Sequence, residues 1–131
     1  MSYKLTPSQY SKIDTVVSDY FNELSLHCVA LIDMAGNVIV EYHNNKIRSD
    51  IYSLAALAAG NFAAVNEMAK LVGEREFSLF FHKGERESIH FSKIADMMLL
   101  ISVFGPETSL GFLRLKALEV ITSIEQILEG K

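Results

Sequence analysis

The chain has little of the material from which most catalytic, metal and nucleic-acid sites are built. Cys28 is the single cysteine in 131 residues, which excludes a disulfide framework within one chain and a zinc site based on cysteines. The net charge is −4, whereas a nucleic-acid binder normally presents a basic face. No apolar run reaches the roughly 18 residues that a membrane span needs, and residues 1–9 are polar, unlike a signal peptide. These absences favour a cytoplasmic protein with no nucleic-acid partner and no membrane span.

The motifs of nucleotide binding and catalysis are also missing. The segment 105–111 lacks the glycine-lysine-serine ending of a phosphate-binding loop, and no Gly-x-Gly-x-x-Gly occurs. The histidines His27, His43, His82 and His90 do not recur at the i, i+4 spacing of a helical metal site. His82 and His90 could face each other across a hairpin, but a third ligand is lacking. We therefore expect no catalytic residue, no metal site, no cofactor and no enzymatic activity.

Length and composition indicate one globular domain that spans residues 1–131. Half of the residues are hydrophobic and 21% are charged, which excludes intrinsic disorder. Apolar side chains at three- and four-residue spacing predict helices, and short β-branched or aromatic runs beside turns predict strands. The predicted order is α-ββ-α-βββ-α, an α/β layered domain with antiparallel hairpins. The predicted elements are a helix at 7–26, strands at 28–32 and 38–42, a helix at 49–73, strands at 77–82, 87–91 and 96–104, and a last helix that begins at Thr108 or Ser109.

The beginnings of the helices carry capping signals. Thr6 and Gln9 form a capping box around a proline at the first helical position. Ser49 is expected to cap the second helix, with Asp50 at the positive end of its dipole. Gly111 lies in the first turn of the last helix and costs about 1 kcal/mol relative to alanine, which indicates that another segment approaches closely there.

The helix at 49–72 is the most informative element because it lacks a charged face. At 100° per residue, a set of apolar side chains clusters in one direction and forms the expected core face. This set is Ile51, Leu54, Ala55, Ala58, Phe62, Val65 and Ala69. The opposite face has one charge and is otherwise small or apolar. It comprises Ser53, Ala56, Gly60, Ala63, Ala64, Glu67 and Leu71.

Two interpretations of this helix are open: an internal core helix, or a helix whose outer face contacts another protein chain. Burial on both sides is hard to arrange in a domain of this size with one sheet, so we favour the second interpretation. Leu57 and Met68 lie on a flank of the helix, where they suit an isologous contact with a second copy. The apolar strand 77–82, if it lies at an edge, also needs a partner strand, which its symmetry mate can supply.

Six segments together resemble the roadblock / dynein light chain family. The first contains an apolar strand, Asp33, Gly36 and a second apolar strand, which is the pattern of the first hairpin of the family. The alanine-rich segment 54–64 is similar to the central helix of bacterial members. The resemblance covers about residues 14–128, and its segments are 30–38, 54–64, 71–74, 82–86, 99–104 and 109–111.

The resemblance implies a fold and an assembly. The fold is a five-stranded antiparallel sheet, with the central helix on one face and the N- and C-terminal helices on the other. The assembly is a homodimer in which the central helices lie side by side and the sheets join edge to edge. The residues that we expect at the dimer interface lie on the helix flank and on the strand 77–82; they are Leu57, Asn61, Met68, Phe77, Leu79 and Phe81.

The resemblance also implies a partner, a small Ras-like GTPase. Bacterial members of this kind bind the switch regions of the GTPase and stimulate GTP hydrolysis without binding nucleotide themselves. The residues carried over as the GTPase contact are Ala56, Gly60, Ala63, Ala64 and Glu67. Such regulators often carry a C-terminal tail beyond the last helix, whereas this sequence ends at Lys131, so tail-dependent activity such as nucleotide exchange is not expected.

Other functions are open at this point. A roadblock adaptor could hold together a bacterial polarity or gliding-motility complex without changing GTP hydrolysis. A ligand-sensing α/β domain of the PAS type needs an internal pocket. The alanine-rich helix does not favour such a pocket, because its small side chains fill the space and its other face points outward.

Overall fold

The computed structural model describes residues 4–45, 50–75 and 80–130, apart from the side chain of Phe80. The predicted cap Ser49 and the predicted interface residues Phe77 and Leu79 lie outside these ranges. The order α-ββ-α-βββ-α is confirmed. The elements are α1 (Pro7–Glu23), β1 (Cys28–Asp33), β2 (Val38–His43), α2 (Ile51–Leu71), β3 (Phe80–Lys83), β4 (Ser88–Ile94), β5 (Met98–Phe104) and α3 (Leu110–Leu128).

The five strands form one antiparallel sheet in the order β2-β1-β5-β4-β3. Every residue of β1 and β5 is buried, because helices cover both faces of the middle of the sheet. The continuous apolar run of β5 is the pattern expected of such a strand. The strands β2 and β3 are the two edges, so the strand around Phe81 meets the condition under which an apolar strand was expected to need a partner.

Alternating side chains of the central strands supply two separate cores. On one face, Val29 and Leu31 pack with the buried stripes of α1 and α3. On the other face, Ala30 and Ile32 pack with α2. The predicted layering, with the central helix on one face and the terminal helices on the other, is therefore confirmed. None of the described helices is long and apolar enough to cross a membrane.

Polar side chains satisfy the first amide groups of each helix, as helix termini require. Thr6 and Gln9 form the predicted capping box of α1. Asp50 caps α2 by accepting hydrogen bonds from the amides of Tyr52 and Ser53, so the prediction of Ser49 as the cap was wrong by one residue. Ser109 caps α3 and accepts from the amide of Phe112.

Three boundaries differ from the sequence-based prediction because of residues with left-handed backbone. Helix α1 ends at Glu23, three residues early, and Ser25 follows with φ of 51°. Strand β4 continues to Ile94, where Ala95 and Asp96 turn the chain with φ of 54° and 56°. Strand β5 therefore begins at Met98, whereas the last strand was predicted to begin at residue 96 because the sequence offers no glycine as a signal for that turn.

The predicted apposition of two histidines across the second hairpin was wrong. His82 pairs with Ile89, and His90 pairs with Phe81. Residues directly opposite each other in an antiparallel pair share a face, and neighbours along a strand do not. His82 and His90 therefore lie on opposite faces of the sheet.

Candidate protein-binding surface on helix α2

The helix α2 turns the predicted faces in the predicted directions. The side chains of Ile51, Ala55, Ala58, Phe62 and Ala69 are buried. Leu54 and Val65, at the margin of this face, are half-buried, and Ala59 is buried in addition. One helical stripe thus accounts for the contact between α2 and the sheet, and the rest of the helix faces away from the core.

The outer face of α2 comprises the five residues that the family resemblance assigned to a GTPase contact. All five are exposed in the isolated chain; they are Ala56, Gly60, Ala63, Ala64 and Glu67. A Cβ atom added at Gly60 would have no other heavy atom within 4 Å, so the backbone is open to solvent there. Glu67 carries the one charge of the set and pairs with Lys70 at 3.3 Å. The surface is therefore small, shallow and nearly uncharged.

Beside the outer face lies a flank with large exposed side chains. Leu57 is 73% exposed and Met68 is 52% exposed, and Asn61 lies between them. At the end of the helix, Leu71 of the outer face and Val72, which follows the helix, are also exposed, by 85% and 69%. These large exposed apolar side chains, next to the nearly uncharged outer face, favour protein contact on this side of the domain.

The turn between β1 and β2 fixes one side of this surface. The carboxylate of Asp33 accepts hydrogen bonds from the amides of Ala35 and Asn37, both at 2.9 Å, and from the Asn37 side chain at 3.0 Å. Although burial opposes it, this hydrogen bonding holds the pKa of Asp33 below its ordinary value. The turn presents Gly36, whose φ is 92°, against the helix, where an added Cβ would lie 3.2 Å from the Ala56 Cα. Asp33 is thus a turn residue, as its sequence position predicted.

Of the three predicted interface residues on the second hairpin, the structure describes Phe81. Phe81 is half-buried and stacks on Phe104, with ring centroids 6.1 Å apart, on the face covered by α1 and α3. Its side chain is therefore engaged within the chain, and pairing at this edge would use the backbone of β3. Phe77 and Leu79 cannot be placed, since they lie outside the described residues.

A titratable cluster that the sequence did not reveal lies where β1 begins. The buried ring of His27 places Nδ1 at 2.7 Å from Glu87 Oε2, and Nε2 contacts a carboxylate oxygen of Glu107. Both ring nitrogens therefore contact carboxylates, and the imidazole connects β1 with the loops before β4 and before α3. Within the described residues no group of three or more His, Cys, Asp or Glu side chains is arranged to hold a metal ion.

The neighbouring thiol is chemically quiet. Cys28 is fully buried in β1, and burial, with the charges of Glu41 and Glu87, raises its pKa to about 12. The thiolate is the reactive form of cysteine, so this residue acts as a small core side chain.

The fold and this surface define the class of protein. The Roadblock/LC7 domain family matches residues 12–103, and the chain belongs to this family. No curated protein sequence matches the chain.

Among solved structures, the chain is similar to MglB proteins along nearly its whole length. Myxococcus xanthus MglB is 30% identical over 98% of this chain and 96% of that chain, with a TM-score of 0.88. The gliding protein MglB from Thermus thermophilus is 28% identical over 97% and 96% of the two chains, with a TM-score of 0.85. A further MglB, described as having a tetrameric arrangement, is 27% identical over 96% and 94%, with a TM-score of 0.87. These likenesses confirm the resemblance to roadblock proteins and extend it to MglB.

Proposed function

We propose that this protein is a homodimeric regulator of a small Ras-like GTPase of the MglA type. It docks on the switch regions of the GTPase through α2 and stimulates GTP hydrolysis without binding nucleotide. The likeness to three MglB structures, one of them described as a gliding protein, at 27–30% identity over nearly full length, supports a role in bacterial gliding motility. We extend the proposal to cell polarity.

One observation carries the proposal: α2 is exposed on a face that has almost no charge. A surface helix of a monomeric domain normally places charged side chains opposite its core stripe. Here Gly60 and three alanines occupy that position, and all are exposed. Small residues allow a second backbone to approach closely, which a helix or loop of a partner can use.

The homodimer is supported by the flank of α2 and by the edge strand β3. Leu57 and Met68 expose more than half of their surface in the single chain. Among the strands that the structure describes, β3 pairs on one side only, with β4. A two-fold axis beside β3 would place β3 against β3 of the second copy and the flank of α2 against the same flank of the second copy. A standard interface buries roughly 1,600 Å² in total.

The proposed mechanism is positioning. Hydrolysis of GTP depends on the placement of a water molecule and on stabilisation of charge around the transferred phosphoryl group. A regulator that binds one arrangement of the switch regions more tightly than others shifts the GTPase toward it. The α2 surface, with one carboxylate at Glu67 and otherwise small side chains, suits a role in holding the switch regions so that the GTPase uses its own catalytic residues.

The direct test is single-turnover GTP hydrolysis by a purified MglA-type GTPase with and without this protein. We expect faster hydrolysis with the protein present and no nucleotide binding by the protein alone in calorimetry. If the protein binds the GTPase without changing the rate of hydrolysis, it is a roadblock adaptor in a polarity or motility complex and not a regulator of hydrolysis. Sedimentation that shows monomer alone at micromolar concentration would contradict the homodimer.

A further inference from the structure

A groove of about 460 Å³ lies between α3 and β4, on the sheet face opposite α2. Leu115, Leu118 and Ile121 form one wall at steps of three residues along α3. The first two are 56% and 59% exposed, although they lie on a helix whose opposite side is packed in the core. His90 and Ser92 of β4 contribute to the other wall and are buried.

Gly111 opens one end of this groove. The sequence led us to expect that another segment approaches closely here. Within the described chain, the nearest atom to an added Cβ is Ser109 Oγ at 3.8 Å, which is ordinary contact. The fold of this chain therefore does not require a glycine here, although glycine is unfavourable in a helix. The space that the missing side chain leaves belongs to the groove.

Arg114 gives the groove its charge. Its side chain is exposed and forms no ion pair with any residue in the described ranges. Its neighbour His90 is neutral at pH 7, because burial and the Arg114 charge lower the pKa of His90 to about 4. Arg114 thus carries the one full charge among the side chains that line the groove.

We propose that this groove binds an amphipathic helix of a partner protein, with an acidic side chain of that helix paired to Arg114. The ridge of Leu115 and Leu118 matches the spacing by which helices pack ridges into grooves. An added strand cannot bind here, because β4 is already paired on both sides, with β3 and β5. The partner helix would approach closest at Gly111.

This inference does not depend on the proposed function of α2. The two surfaces lie on opposite faces of the sheet, so a single domain could hold a GTPase on one side and a helical protein on the other. Loss of either interaction leaves the other measurable.

The probe is a synthetic peptide of about 18 residues with leucines at helical spacing and glutamates beside them. A matched peptide carries lysine in place of every glutamate. We expect the acidic peptide to bind at least tenfold more tightly, by fluorescence anisotropy, which corresponds to roughly 1.4 kcal/mol. NMR shift changes should be confined to α3 and β4. In Arg114→Glu the preference should reverse toward the lysine peptide.

Gly111→Leu separates docking from folding. Leucine favours helix, and its Cβ would meet no close neighbour here, so thermal stability should stay equal or rise. Its side chain should nevertheless fill the groove and weaken peptide binding by about tenfold or more. The matched control for Arg114→Glu is Gln126→Glu, which adds a negative charge on α3 outside the groove lining. This control should bind as the unaltered protein does.

Several outcomes would overturn the proposal. Equal affinity for both peptides, shift changes on α2, or normal binding by Gly111→Leu would each do so. If Leu118→Arg lowers the oligomeric mass of the protein in sedimentation and neither peptide binds, the groove is a contact between copies of this chain.

Discussion

Acidification should destabilise the fold through His90 well before the carboxylates become protonated. The side chain is 6% exposed, and its Nδ1 lies 3.3 Å from Ser92 Oγ. Burial, and secondarily the Arg114 charge, lower its pKa to about 4, whereas the unfolded chain has the ordinary value of about 6.5. Between these two values the unfolded state binds the proton and the folded state does not, so stability falls as pH falls.

The gap between these pKa values sets the size of the effect. It amounts to a loss of about 2 kcal/mol of unfolding free energy by pH 5 and roughly 3 kcal/mol by pH 4, relative to pH 7.5. This is a large share of the 5–15 kcal/mol typical of a domain. Arg114→Gln removes the nearby cation, which should raise the pKa of His90 and reduce the loss.

The assay is urea denaturation at pH 7.5, 5 and 4 for the unaltered protein and for His90→Asn. Asparagine keeps an amide near the position of Nδ1 but does not titrate. The unfolding free energy of His90→Asn at pH 7.5 is expected to be lower than that of the unaltered protein. The loss of unfolding free energy between pH 7.5 and 4 should be smaller in this variant by the amounts above. Equal pH dependence in both proteins would refute the reasoning, because it would mean that His90 accepts its proton in the folded state without cost.

Two further predictions concern the hairpin and the central helix. Gly36→Ala should lower the unfolding free energy by about 1 kcal/mol or more, since φ is 92° and the new Cβ would lie 3.2 Å from the Ala56 Cα. Gly60→Ala should instead raise the unfolding free energy by about 1 kcal/mol. Thermal melting in which both variants shift the melting temperature in the same direction would contradict this. Asp33→Asn should cost about 1–3 kcal/mol at pH 7 in urea denaturation, because an amide cannot accept all three hydrogen bonds. The pKa of Asp33 is lowered in the fold, so its contribution is present above the ordinary carboxyl pKa of about 4 and is lost as pH falls below it. A cost for Asp33→Asn that does not shrink in acid would show that the ionised carboxylate is not what matters.

The order of elements and the faces of α2 could be predicted because both follow from periodic apolar patterns. The buried stripe of α2 from Ile51 to Ala69 is a single 3.6-residue repeat, and the unbroken apolar run of β5 belongs to a strand covered on both sides. Caps with polar side chains, such as Thr6 and Ser109, were also visible, since they act within three residues along the chain.

Features that depend on contacts distant in sequence could not be predicted. The cluster of His27, Glu87 and Glu107 joins positions up to 80 residues apart, and no local spacing signals it. The left-handed turn at Ala95 and Asp96 lacks the glycine that would have indicated it. The register that separates His82 from His90 follows from the loop 84–87, which pairs Lys83 with Ser88 and therefore places His90 opposite Phe81.

The proposed contact between the outer face of α2 and a GTPase is tested most directly by Gly60→Arg. Gly60 is exposed with open space around it, so arginine should leave thermal stability unchanged or slightly higher. Ala58→Arg, on the buried face at 4% exposure, should instead unfold the domain. In single-turnover hydrolysis with a purified MglA-type GTPase, we predict that the unaltered protein accelerates GTP hydrolysis and that folded Gly60→Arg neither binds nor accelerates it. Full acceleration by Gly60→Arg would contradict the account.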